Sequence, residues 1–354
     1  MTAGQPDVGV LIIDDSSIVR TVLSRELERI PGIRVLGTAP DPYVGRDKLL
    51  QLRPDVITLD IEMPRMDGLT FLRKIMKYHP TPTIIVSSLA KQGCDTAIAC
   101  LEAGAIDCVC KPGEAYSVGD LSSELAHLIK GAKGVKLREP VEVTKRTPLV
   151  STAMIETTNK VFAIGSSTGG TEALREVLTR MPKTAPGIVI VQHMPEGFTK
   201  SFAQRMNELC EIEVKEGEDG DSVIPGRAII APGNKHMRLA RSGAKYIVKI
   251  ADGPRVCRHK PSVEVLFETT AKFAGANAAG ALLTGMGADG AHGLLTMRKA
   301  GAFTIAQDEA TSVVWGMPGE AVKLGAAMDV LPLEKVTQRL LDFAAGKVSG
   351  VRAA

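Results

Sequence analysis

The chain has 354 residues, more than one hydrophobic core usually organises, so its length favours two domains. Apolar residues make up 44% and charged residues 23%, which excludes a wholly disordered or collagen-like chain. Lysine plus arginine, 43, nearly balances aspartate plus glutamate, 40, so no strong field points to nucleic acid or to a membrane surface.

The opening MTAGQPDVGV lacks a basic stretch followed by a long apolar one, and no apolar run reaches the roughly 18 residues that would span a bilayer. A cytoplasmic protein without membrane insertion is expected. Cys94, Cys100, Cys108, Cys110, Cys210 and Cys257 show no C-x-x-C spacing, so buried free thiols are expected rather than a zinc ribbon or a disulfide framework.

Short apolar runs at Val8–Ile13, Val35–Thr38, Val56–Leu59, Thr83–Val86 and Cys108–Cys110 read as strands. They alternate with helical stretches at Ile18–Arg29, Tyr43–Gln51, Leu69–Tyr78, Asp95–Glu102 and Leu121–Ile129. This rhythm predicts an α/β domain over 1–131, a (βα)5 unit with a five-stranded parallel sheet. Residues 132–159 are rich in Lys, Arg, Gly and Pro without a consistent face, and read as a flexible linker. A second α/β domain, doubly wound, is predicted over 160–354. It opens with VFAIG, a helix over Thr171–Arg180, GIVIVQH and a helix over Phe198–Leu209. Alternating runs between Ile212 and Ala251 suggest a β-hairpin insertion, after which helices at Ser262–Phe273 and Gly290–Ala300 alternate with GALLTG and FTIAQ.

In the first domain Asp14 and Asp15 follow the first strand and Asp60 the third, which brings three carboxylates to the carboxyl edge of a parallel sheet. Mutual repulsion there calls for a cation, and an all-oxygen donor set suits Mg²⁺. Ser87 ends the fourth strand and Lys111 the fifth, adding a hydroxyl and an ammonium. Asp60 could then attack a phosphoryl donor while Asp14 and Asp15 hold the metal.

In the second domain Gly165-Ser166-Ser167-Thr168-Gly169 fits G-x-S-x-G between an apolar strand and a helix, a turn that exposes a serine at the sheet edge. A glycine-rich turn before a helix equally suits phosphate binding, although the lysine of a P-loop is absent. His193 ends the strand reached from Ser167 through one helix, so base and nucleophile would share an edge. Asp289, between GALLT and the next helix, would orient the imidazole, with Asp308 as the competing acid. His236, His259 and His292 read as structural or substrate-lining.

The motifs LIIDDSS, ITLDIEMPRMDG, IIVSSLA and VCKPG resemble the receiver domain of bacterial response regulators. That resemblance implies phosphoryl transfer from a histidine kinase to Asp60, Mg²⁺ bound through Asp14, Asp15, Asp60 and the Glu62 carbonyl, and switching through Ser87 and Lys111. Cys108 stands where many receivers carry an aromatic switch residue, a departure that touches how the signal leaves the domain. AIGSSTGGTEAL, IVIVQHMP, APGNKHM, RHKPSV, LLTGMGADGA and AQDEATSVVWGMP resemble the catalytic domain of chemotaxis methylesterases, the CheB family.

This second resemblance implies Ser167 as nucleophile, His193 as general base, Asp289 as its partner and oxyanion support near Thr168 and Met286. It further implies a phosphorylation-activated esterase that demethylates glutamate methyl esters and deamidates glutamines on methyl-accepting chemoreceptors, with no cofactor in the esterase. A monomer is expected, whose receiver packs over the serine cleft until Asp60 is phosphorylated. Two rivals stand beside this reading: a DNA-binding output, which lacks a basic recognition element here, and a catalytically silent, phosphorylation-dependent adaptor at receptor arrays.

Overall fold

The computed structural model describes residues 7–88, 91–111, 118–133, 135, 137 and 159–350. The chain divides into two compact units, within 1–143 and 144–354. The linker expected over 132–159 lies almost wholly outside the described residues.

The first unit runs β1 (Val8–Ile13), α1 (Ser17–Glu28), β2 (Ile33–Ala39), α2 (Pro42–Leu52), β3 (Val56–Asp60), α3 (Gly68–Tyr78), β4 (Thr83–Ser87), α4 (Lys91–Glu102), β5 (Asp107–Cys110) and α5 (Val118–Ala132). The strands form one parallel sheet in the order β2-β1-β3-β4-β5. Every residue of β1, β3 and β4 is buried, as a sheet covered on both faces requires. Short polar side chains start the helices: Ser16 accepts from Val19 N, Asp41 from Tyr43 N and Val44 N with Pro42 opening the helix, and Asp67 from Thr70 N.

The second unit runs β6 (Val161–Ser166), α6 (Gly170–Leu178), β7 (Gly187–Gln192), α7 (Phe198–Leu209), β8 (Glu213–Glu216), β9 (Arg227–Ile230), β10 (His236–Ser242), β11 (Lys245–Ala251), α8 (Val263–Ala274), β12 (Ala278–Leu282), α9 (Ala291–Lys299), β13 (Phe303–Gln307), α10 (Met317–Lys323), β14 (Asp329–Leu331) and α11 (Leu333–Ala344). Seven strands pair in the order β14-β13-β12-β6-β7-β9-β8, every pairing parallel. The hairpin is narrower than the sequence suggests: β10 and β11 pair antiparallel, whereas β8 and β9 from the same stretch join the parallel sheet. Val214 is the buried residue of the edge strand β8, which leaves little apolar pattern to mark it.

Beyond β6 the chain lays β7 beside it, crosses to the edge with β8 and fills the gap with β9, then returns to lay β12 against the other side of β6. The strand order therefore reverses between β6 and β12, and in the first unit between β1 and β3. Crevices open at such points beyond the carboxyl ends of the strands.

Cys94, Cys100, Cys108 and Cys110 are buried free thiols as expected, but Cys210 is half-buried and Cys257 exposed. Burial pushes the Cys108 thiol well up, so it packs as a small apolar side chain. In the second core Phe267 on α8 is fully buried, and α9 approaches it closely because residue 293 is glycine: a Cβ there would stand 2.7 Å from Phe267 Cβ. Phe267→Ala should therefore destabilise this unit by about 3–5 kcal/mol, read from urea unfolding of the whole chain.

Candidate active site

Ser167 follows β6 where the chain leaves the sheet, and its amide donates to Thr284 O at 3.0 Å across the reversal point. Gly169, at φ 75°, turns the chain into α6, and Gly170 N donates back to Ser167 O at 2.6 Å. The β12–α9 loop lies directly on the serine: a Cβ at Gly285 would stand 2.7 Å from Ser167 Cβ. A glycine is required there.

His193 follows β7, next to β6, and its amide donates to Ser166 O at 3.1 Å. The ring Nε2 lies 2.8 Å from Asp289 Oδ2. An ionised carboxylate only accepts, so Nε2 carries a proton, and in the neutral ring Nδ1 then presents the lone pair. Nδ1 is buried and has no hydrogen-bond partner among the described residues, so the bond to the Ser167 hydroxyl is not formed in this state.

Asp289 sits on the turn before α9 and is gripped by the start of α8. Ser262 Oγ donates to its Oδ1 at 2.8 Å, Glu264 N to Oδ1 at 3.1 Å and Val263 N to Oδ2 at 2.7 Å. Burial works to raise its pKa, yet the His193 contact, Ser262 and Val263 outweigh it and hold the carboxyl below its ordinary value. Asp308, the competing acid, instead accepts from Thr311 N at 2.9 Å and from the Thr311 hydroxyl, closing a local turn.

Thr168 is buried, with its carbonyl accepting from Thr284 Oγ1 at 3.0 Å, and Met286 is half-buried beside Gly285. Thr168 is thus the chain neighbour of Ser167, and Met286 that of Gly285, the residue that lies against Ser167. His236 bonds Pro254 O through its ring, and His292 is exposed on α9. His259 differs from those two: its ring stacks on His193 with centroids 3.7 Å apart and planes 9° from parallel. The tight turn Val256–His259, closed by both backbone bonds, puts Cys257 and Arg258 at φ 50° and 71°. Nothing in the sequence marks that left-handed turn, since neither residue is glycine.

In the first unit, carboxylate oxygens of Asp14, Asp15 and Asp60 lie within 4.8 Å of one another. Lys111 Nζ reaches Asp60 Oδ2 at 2.6 Å and Asp14 Oδ2 at 3.1 Å. Asp14 and Asp60 are buried, Asp15 is exposed, and residue 68 must be glycine because a Cβ would stand 2.3 Å from Asp60 O. Ser87 is buried at the end of β4, with Oγ 3.3 Å from Gly93 O, while the Glu62 side chain accepts from Ser88 Oγ at 3.1 Å. Burial, with Asp14 adding to it and Lys111 opposing, pushes Asp60 from 3.8 up to about 6. Three hard oxygen donors crowded beside Lys111 fit a Mg²⁺ ion.

The response regulator receiver domain model matches residues 10–118, and the CheB methylesterase model matches residues 162–340. The chain belongs to the CheB methylesterase family. A protein-glutamate methylesterase/protein-glutamine glutaminase from Syntrophus aciditrophicus is 54% identical, over 94% of this chain and 98% of its own length. A relative with that name from Pseudomonas aeruginosa is 49% identical over 98% of this chain and 99% of its own. The crystal structure of the Thermotoga maritima CheB methylesterase catalytic domain is 38% identical, with a TM-score of 0.51, and covers 52% of this chain and 97% of its own. The CheB match begins one residue into β6 and ends in α11, so it takes in Ser167, His193 and Asp289 together.

The raised Asp60 value carries a consequence for stability. The folded receiver binds this proton more tightly than the unfolded chain, so stability falls as pH rises from 3.8 through about 6. In Mg²⁺-free buffer Asp60→Asn should melt a few degrees above wild type at pH 7.5, with the gap closing toward pH 4, as followed by thermal unfolding.

Proposed function

We propose that this protein hydrolyses glutamate methyl esters and deamidates glutamines on methyl-accepting chemoreceptors, at a rate raised by phosphorylation of Asp60. The observation that carries the reading is the His193 Nε2 contact to Asp289, which leaves the buried Nδ1 lone pair available at the edge where Ser167 stands.

Ser167 Oγ attacks the γ-carbonyl while His193 Nδ1 takes its proton, and Asp289 stabilises the imidazolium. Backbone donors near Thr168 and Met286 hold the oxyanion. Collapse of the tetrahedral intermediate breaks the bond to the methoxy group, which leaves as methanol with the proton from His193. Water, activated by the same imidazole, then frees the glutamate. With glutamine the leaving group is ammonia and the proton transfers are the same.

In the receiver the Asp60 carboxylate accepts a phosphoryl group from a chemotaxis histidine kinase. Lys111 and Ser87 bind the new phosphoryl oxygens. Asp14, Asp15, Asp60 and the Glu62 carbonyl would hold Mg²⁺, which would supply charge neutralisation for the transferring group. The protein acts as a cytoplasmic monomer on this reading. Among the described residues no helix is long and apolar enough to cross a membrane.

Methanol release from methylated receptor membranes tests the proposal. Wild type should release methanol, faster with a small phosphodonor and Mg²⁺, and Ser167→Ala should lose about 1,000-fold or more of that rate. Undiminished release by Ser167→Ala would contradict the assignment.

A further inference from the structure

β6 and β7 end side by side, Ser166 paired with Gln192, and each strand hands its next residue, Ser167 or His193, to the site. Beyond the ladder the carbonyls of these two residues have left the sheet's regular pairing. A single buried amide takes both. Gln192 Nε2 donates to Ser167 O at 3.0 Å and to His193 O at 2.9 Å, while its Oε1 accepts from Ser166 Oγ at 2.7 Å.

A glutamine amide has two N–H donors and an acceptor oxygen, and all three functions are used. Gln192 and Ser166 are almost wholly excluded from solvent, so these bonds are not exchanged with water. Space is equally tight: a Cβ at Gly170 would stand 2.0 Å from Gln192 Oε1, so the start of α6 closes on the amide only as glycine.

We propose that Gln192 is a positioning residue for the reaction, one amide that sets the spacing between the backbone of the Ser167 nucleophile and that of the His193 base. Its hydrogen bonds go to two backbone carbonyls and the Ser166 hydroxyl, not to the imidazole or to Ser167 Oγ. Its effect is on how often Ser167 Oγ and His193 Nδ1 come within bonding distance, a distance they do not hold in this structure. Displacements of about 1 Å at such a pair cost on the order of 100-fold in rate. The inference rests on the roles proposed above for Ser167 and His193.

The test compares Gln192→Met, which keeps the length and loses all three bonds, with Ser166→Ala, which loses one. Both are made in the full chain with Mg²⁺ and phosphodonor. Two rates are read: methanol release, and labelling of Ser167 by a fluorophosphonate, which bonds phosphorus to Oγ with loss of fluoride and needs no receptor. Gln192→Met should lower kcat about 10- to 100-fold at unchanged KM and slow labelling in proportion, with Ser166→Ala falling between it and wild type. Rates within twofold of wild type in Gln192→Met, or a raised KM at unchanged kcat, would overturn the proposal. If Gln192→Met does not fold, Ser166→Ala decides: a severalfold loss in labelling supports the role and an unchanged rate removes it. Wild type that labels yet releases no methanol would sink the proposed substrate and leave the labelling comparison to judge Gln192.

Discussion

The Asp289 carboxylate is tied to two things at once, the first turn of α8 and the ring of His193. Three donors from residues 262–264 and one from the imidazole converge on its two oxygens in a site nearly closed to water. A buried carboxylate with fewer partners would take up a proton instead of holding a charge. Because it stays charged, the imidazole is compelled to donate through Nε2, and in its neutral form the lone pair is left on Nδ1. The position of α8, packed through Phe267 against the close pass of α9 at Gly293, therefore bears on the chemistry of the ring that follows β7.

The two units solve related problems with one arrangement. Each places its reactive side chain where the strand order of a parallel sheet reverses, Asp60 beside β1 and Ser167 beside β12. Each also closes a loop on that residue through a glycine that no other side chain could replace without displacement, Gly68 over Asp60 and Gly285 over Ser167. The electrostatics differ in sign of outcome. Burial wins at Asp60, where Lys111 faces crowded carboxylates and the pKa rises, while hydrogen bonding wins at Asp289 and its pKa falls.

Much of this was legible in the sequence, for physical reasons that differ by element. The strands β1, β3, β4, β6 and β7 are buried along their whole length and so are written as predominantly apolar runs, and Ser167, His193, Asp14, Asp15 and Asp60 lie at or just past the ends of such runs. Asp289 required only the further step of placing its turn at the same edge. The β8 and β9 pairing was not legible, because an edge strand with one buried residue resembles half of a hairpin. Nor was the stacking of His259, which depends on two non-glycine residues in left-handed conformations. Gln192 reads in sequence as the polar end of an apolar strand. Its partners lie 25 and 26 positions earlier, at Ser167 and Ser166, as well as at its own neighbour, and only the folded chain assembles them.

Asp289 fixes the tautomer of His193 through the 2.8 Å contact to Nε2. Nitrogen-15 NMR of the imidazole side chains in the full-length protein, assigned by the signals lost in His193→Gln, tests it directly. Neutral His193 should be protonated at Nε2 alone, with Nδ1 resonating as an unprotonated nitrogen. Protonation at Nδ1, or rapid averaging of the two nitrogens, would contradict it.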